Sequence, residues 1–255
     1  MIETGNVESK IVNGVGTIIF FHPQSNSLPG TLLNKLAEEI SSMGNDPQAK
    51  VIVLRSQGNK AFCGGASFDE LLTLDSFEKG KKFFSGFAKV INAMRKCPKF
   101  IIGRVQGKAV GGGVGLASAV DYALAMDTAS VKLSELAVGI GPFVVGPAVE
   151  RKIGTAAFSS LSINATEWQD AKWAKEKGLF ANIFSTEEEL DKAVNDLAEK
   201  LAKSNPEAME SLKKVFWKGT ENWDTLLVER AEMSGKLVLS DFTVNAINKF
   251  KTGVR

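Results

Sequence analysis

The apolar positions of this chain change period several times, and each change marks an element. Residues 7–12 and 16–21 are strand-like runs flanking Asn13-Gly14, a pair that tolerates the positive φ angles of a type I′ turn. A β-hairpin is therefore expected at the start. Pro29 suits an early helical position, and Leu32, Leu33, Leu36 and Ile40 then recur on one helix face until Gly44. Val51-Ile52-Val53-Leu54 is apolar throughout, the pattern of a short strand covered on both faces. Strand, helix and strand in that order predict a right-handed crossover.

A long helix is predicted over residues 77–95, with Phe83, Phe84, Phe87, Val90 and Ile91 near one face as core or as the wall of a pocket. Residues 99–105 and 122–126 read as strands. From residue 154 onward the pattern is helical except at 179–184. Thr166 is expected to cap a helix ending at Lys177 and Gly178, Thr186 with Glu189 forms a capping box, Asn205-Pro206 opens a further helix, and Asn222 or Asp224 opens a last long one. These helices carry Trp168, Trp173, Trp217 and Trp223, which suit subunit packing, a lid or a buried core. The expected organisation is an α/β core over residues 1–195 and a helical region over 196–255, with no internal repeat.

Composition narrows the function. The chain has 255 residues, 44% hydrophobic and 24% charged, with a formal net charge of +2. That is an ordinary soluble globular balance with no basic excess to suggest nucleic acid. Cys63 and Cys97 form no disulfide framework or C-x-x-C pair, and Met1-Ile2-Glu3-Thr4 lacks a basic region before an apolar run, so a reducing cytoplasm is the expected location and no membrane span is expected. His22 is the single histidine, and no G-x-S-x-G is present. A Ser-His-Asp hydrolase and a zinc site are both poorly supplied, and no metal site is expected.

Two glycine-rich loops carry the candidate chemistry. Val105-Gln106-Gly107-Lys108-Ala109-Val110-Gly111-Gly112-Gly113-Val114-Gly115-Leu116 reads as strand, tight turn and helix start, and Lys60-Ala61-Phe62-Cys63-Gly64-Gly65-Ala66-Ser67-Phe68 is a second small-residue loop after a strand. Loops beyond the carboxyl ends of strands are where α/β sheets bind ligands, and two backbone amides from different loops are able to grip one developing oxyanion. A packing turn is the alternative for the triple glycine. Glu135 stands among apolar neighbours, where desolvation raises a carboxyl pKa toward neutrality; a solvated or helix-capping glutamate is the alternative. A nicotinamide-binding G-x-G-x-x-G laid on Gly111 and Gly113 fails, because Leu116 stands where the third glycine is required.

Ala61-Phe62-Cys63-Gly64-Gly65-Ala66, the run from Gly107 to Ala117 with Asp121 following, and Glu135 with Gly139-Ile140-Gly141-Pro142 together resemble the crotonase (enoyl-CoA hydratase/isomerase) superfamily. The resemblance covers almost the whole chain. It implies a spiral of ββα units with a helical C-terminal trimerisation region, a homotrimer or hexamer, and a coenzyme A thioester as substrate with no further cofactor. By the same resemblance the amides of Ala66 and Gly112 are the oxyanion pair and Glu135 is the proton shuttle. The loop of Phe62, Cys63, Gly64, Gly65 and Ala66 borders the adenine, Gly111 and Gly115 belong to the substrate-binding set, the bulky apolar run Pro142-Phe143-Val144-Val145 shapes the acyl pocket, and Lys251 meets phosphates from a neighbouring subunit.

One departure bears on mechanism. Hydratases of this superfamily usually carry a second glutamate where this chain has Gly115. Double-bond isomerisation needs only one carboxylate and is favoured, whereas water addition is expected to be slower by ~10²–10⁴. Hydration, including that of a branched thioester such as methylglutaconyl-CoA, and acyl-CoA binding without turnover are the alternatives. Phe143 and its neighbours stand where some relatives carry an aspartate, which argues against dehalogenase-type chemistry.

Overall fold

Asn13 and Gly14 both take positive φ, 50° and 81°, and turn β1 (Asn6–Val12) back into β2 (Val15–Phe21) as the dipeptide predicts. The computed structural model describes residues 5–252, the last three as helix backbone only. After the hairpin come α1 (Gly30–Asn45), β3 (Val51–Ser56), β4 (Ala61–Cys63), α2 (Phe68–Leu71) and α3 (Phe77–Lys96). Next are β5 (Ile101–Val105), β6 (Lys108–Val110), α4 (Gly112–Ala119), β7 (Tyr122–Met126), β8 (Ser130–Lys132), a 3₁₀ turn at Leu136–Val138 and α5 (Gly146–Ile163). The chain continues through β9 (Gln169–Asp170), α6 (Ala171–Glu176), β10 (Asn182–Phe184), α7 (Glu187–Ala202), α8 (Pro206–Phe216), α9 (Trp223–Leu237) and α10 (Asp241–Thr252).

The strands form two sheets, ordered β1-β2-β3-β5-β7-β10 and β4-β6-β8-β9. The pairs β3/β4, β5/β6 and β7/β8 each place their first strand in the larger sheet and their second in the smaller one. This repeated ββα unit is the predicted spiral. Within the larger sheet the strands from β2 onward run parallel, with β1 antiparallel at the edge. Parallel strands covered on both faces should be apolar at every position, and β3 shows why. Ile52 and Leu54 enter the main core, while Val51 and Val53 pack with Leu190, Val194 and Ala198 of α7 on the other face. The strand corners are tied by buried amides: Gln106 Nε2 donates to Ser56 Oγ at 2.7 Å and Ala61 O at 3.0 Å.

Several expectations need correction. The strand that enters the triple-glycine turn is β6, not the 99–105 run, because the chain turns a corner at Gln106-Gly107 and changes sheet. Helix α5 begins at Gly146, before the expected residue 154, and is kinked where Gly154 takes φ 78°. No helix starts at Thr166. Gln169–Asp170 pair with β8 instead, and the Asp170 side chain caps the shorter α6 by accepting from Trp173 N at 2.7 Å. Two helices, α9 and α10, stand where one long terminal helix was expected, and α7 runs unbroken through the expected 195/196 boundary. Trp217 and Trp223 are buried, edge to face at 5.8 Å, whereas Trp168 is 40% exposed with the ammonium groups of Lys108 and Lys132 over its ring at 5.0 and 4.5 Å. Asp121 ties α8 to the sheet, accepting from Ile101 N, Lys213 Nζ and Trp217 Nε1 at 2.8, 2.8 and 3.0 Å.

Candidate active site

β4 and β6 are parallel neighbours, so the loops after them leave the same edge of the smaller sheet. In the first, Gly65 takes φ 87°, its carbonyl accepts from Leu28 N at 2.7 Å, and Ser67 N donates to Leu28 O at 3.2 Å. That bridge uses the residues on either side of Ala66 and leaves the Ala66 N–H outside the ladder. In the second, Gly111 takes φ 51° and donates to Lys132 O at 2.8 Å, which aims Gly112 as the first residue of α4. A first-turn N–H has no intrahelical acceptor and carries the positive end of the helix dipole. The two turns touch: a Cβ on Gly65 would lie 2.7 Å from Val110 O and 3.3 Å from Gly112 N. Among the described residues neither amide, Ala66 or Gly112, meets an acceptor, and both residues line one cavity.

Glu135 follows β8 and leads into the 3₁₀ turn, where its carbonyl accepts from Val138 N at 3.2 Å and Ile140 N at 2.9 Å. This fixes its backbone. The carboxylate reaches over the triple-glycine turn so closely that a Cβ on Gly111 would lie 2.9 Å from Oε1. Oε2 is buried without a hydrogen-bond partner. Burial raises the carboxyl pKa from 4.5 to about 7. A group poised there is able both to take and to return a proton near neutral pH.

The cavity holding these groups measures about 70 Å³. The rest of its lining is mainly apolar, with Leu71, Phe84, Phe87, Val138, Val144 and Val145 among it. Gly64, Gly65, Ala66, Gly111, Gly112, Glu135, Pro142 and Phe143 all line it. Phe62, Cys63 and Gly115 do not. The Phe62 side chain faces the core, edge to face with Phe20 at 5.5 Å, because alternate residues of β4 point to opposite sides. Cys63 is buried, its sulfur accepts from Gly65 N at 3.4 Å, and burial pushes its thiol up to about 12, which leaves it unreactive. Gly115 opens no space. A Cβ there would lie 2.5 Å from Val145 Cγ1 and 2.7 Å from Val145 Cβ, so the N-cap residue of α5 occupies the room a side chain would need. Lys251 lies in the last turn of α10, and its side chain is outside the described residues.

Sequence reasoning did not single out Leu71, Val138 or Ser234 as lining residues. Ser234 arrives from α9, more than a hundred residues from the loops, through a close helix crossing in which a Cβ on Gly235 would lie 2.7 Å from Lys81 N. Gly80 and Gly235 are the signal for that crossing, legible only once the two helices are known to meet. His22 takes a turn role, its Nδ1 3.4 Å from both Gln24 N and Ser27 Oγ. Among the described residues no cluster of three or more His, Cys, Asp or Glu side chains is placed to hold a metal ion, and no helix is long and apolar enough to cross a membrane.

A sequence profile described as Enoyl-CoA hydratase/isomerase matches residues 10–248. The chain belongs to that family. Enoyl-CoA hydratase/isomerase relatives include the mitochondrial methylglutaconyl-CoA hydratase of Rattus norvegicus, 32% identical over 77% of this chain and 63% of that protein, so the chain spans less than two thirds of it. The short-chain-enoyl-CoA hydratase of Clostridium acetobutylicum is 25% identical over 98% of this chain and 95% of its own length. The peroxisomal Delta(3,5)-Delta(2,4)-dienoyl-CoA isomerase of Arabidopsis thaliana is 26% identical over 77% of this chain and 74% of its own. Hydratases and isomerases of the family thus resemble the chain at similar levels. The fold agrees: the crystal structure of the enoyl-CoA hydratase of Bacillus halodurans superposes with a TM-score of 0.87 over 95% of this chain and 98% of that one, at 22% identity.

Proposed function

We propose that the protein isomerises the double bond of an unsaturated acyl-CoA thioester, with Glu135 as the sole proton carrier and the amides of Ala66 and Gly112 as oxyanion donors. Glu135 takes a proton from the α-carbon of a 3-enoyl thioester. The electron pair of that C–H bond moves into a dienolate whose charge rests on the thioester oxygen, where the two amides stabilise it. Protonated Glu135 then returns the proton to the γ-carbon, leaving a 2-enoyl thioester and the original carboxylate. No water enters and no further cofactor is needed.

The observation that carries this reading is that Glu135 is the one carboxylate lining the cavity among the described residues, while a side chain at Gly115 would meet Val145 at its Cβ. Hydration is the second reading, favoured by the names of the relatives. A paired assay on a 3-enoyl-CoA and a 2-enoyl-CoA of equal length separates them: conversion of the first with negligible hydration of the second is expected. Hydration as fast as isomerisation would overturn the proposal, and tight binding without turnover of either would favour an acyl-CoA-binding protein.

The base form of Glu135 starts the reaction, and its pKa is raised to about 7. Isomerase kcat/KM is therefore expected to rise with pH through about 7 and to level off above it. A profile flat across that range counts against Glu135 as the base.

The reading extends to a homotrimer or a hexamer of two trimers. α8 and α9 expose Leu212, Val215, Phe216, Val228 and Met233 on the single chain, apolar surface of the kind that subunit contacts cover. Light scattering is expected to give three or six times the chain mass, and a monomer at micromolar concentration would overturn this. Cys63 and Cys97, both buried as free thiols, suit the reducing cytoplasm as its location.

A further inference from the structure

Behind Pro142 and Phe143 lies a second cavity of about 380 Å³, against about 70 Å³ for the space around Glu135. Pro142 and Phe143 wall both. Phe143 is the partition: its N–H donates to Gly141 O at 2.7 Å, and its ring folds back so that a Cβ on Gly141 would lie 2.4 Å from it. Helix α9 also serves both spaces. Ser234 lines the first and Arg230, one turn earlier on the same face, lines the second, with Ser234 Oγ donating to Arg230 O at 3.3 Å. An acyl chain anchored at the oxyanion donors outgrows the smaller space within a few carbons. The larger one, which shares the walls Pro142 and Phe143, is the adjoining space.

The larger cavity is lined mainly by apolar and small residues of α5, among them Pro147, Phe158 and Ile163, with two charged side chains, Glu150 and Arg230. Glu150 is engaged, its Oε1 accepting from Thr155 Oγ1 at 2.6 Å. Arg230 is different. Among the described residues its Nη1 meets the Met233 sulfur at 3.7 Å, and no carboxylate stands within ion-pair distance of its guanidinium. A half-buried cation without an ion-pair partner, in a cavity whose one carboxylate is held by Thr155, suits a carboxylate at the end of a short apolar chain, which the planar guanidinium is able to hold by two hydrogen bonds.

We propose that the cavity beyond Phe143 receives the distal end of the acyl group and that Arg230 pairs there with a terminal carboxylate, making ω-carboxyacyl thioesters the preferred class. This rests on the acyl-CoA reading given above. The test uses saturated thioesters, which bind without reacting: calorimetric Kd values for adipoyl-CoA and hexanoyl-CoA with the wild type, Arg230→Met and Arg230→Lys. Adipoyl-CoA is expected to bind the wild type about tenfold or more tighter than hexanoyl-CoA. Arg230→Met brings the ratio toward unity through loss of adipoyl-CoA affinity, and Arg230→Lys keeps part of the preference. Equal wild-type affinities, or a preference that survives Arg230→Met, overturns the proposal. Since no turnover is involved, a preference that disappears with Arg230→Met in a protein that isomerises nothing sustains the recognition site while removing the isomerase reading. Absence of binding by either thioester removes both.

Discussion

Glu135→Gln is expected to lower isomerase kcat by about 10²–10⁴-fold, with a smaller change in KM. The amide keeps the shape of the side chain and removes its ability to carry a proton, while the Ala66 and Gly112 donors still hold the thioester. The same substitution is expected to stabilise the fold at alkaline pH. The carboxyl pKa is about 7 in the folded protein against 4.5 for an unperturbed glutamate, so between those values the native state holds a proton that the unfolded chain has released. Native stability therefore falls as pH rises through that window, by roughly 2–4 kcal/mol at its end, and glutamine removes this loss. Melting curves of both proteins on either side of the window check the sign: the variant should gain on the wild type as pH rises. Activity within a few-fold of the wild type would show that another group moves the proton.

Gly115→Glu alone is expected to destabilise the protein without creating a hydratase. The new Cβ meets Val145 Cγ1 at 2.5 Å and Val145 Cβ at 2.7 Å, so overpacking costs about 1–3 kcal/mol, and an unpaired buried carboxylate adds to it. Each kcal/mol lowers Tm by about 2–4 °C in a chain of this size. Val145→Ala does not relieve the contact, since Cβ remains. Val145→Gly does: the nearest remaining atom, Cα, lies 3.6 Å away, and glycine is tolerated at a helix N-cap. The double variant Gly115→Glu/Val145→Gly is expected to recover stability and to gain hydration of a 2-enoyl-CoA by about 10²-fold over the wild type, the contribution of one general acid or base. A double variant that is stable and gains no hydration would show that Val145 is not what withholds water chemistry.

The local signals in the chain were sufficient for much of the fold. Asn13-Gly14 specifies its hairpin because both residues accept positive φ, and the apolar faces of α1 and α3 specify helices because their spacing leaves one side to bury. Gly111, Gly112 and Glu135 were legible for a related reason. A glycine-rich turn opening a helix and a carboxylate in an apolar run are unusual locally, before any partner is known.

Tertiary structure decided what depends on contacts between distant segments. The smaller sheet escaped the sequence because β4, β6 and β8 are three residues each, too short for period-two alternation to show, and exist by pairing with one another. Phe62 shares its loop with Ala66, yet one faces the core and the other the cavity, a choice made by strand register. In the sequence, Gly115 shows only that the side chain of a second glutamate is missing. The packing of α5 on α4 closes that space with Val145, and packing of this kind is set by helix positions that no local pattern encodes.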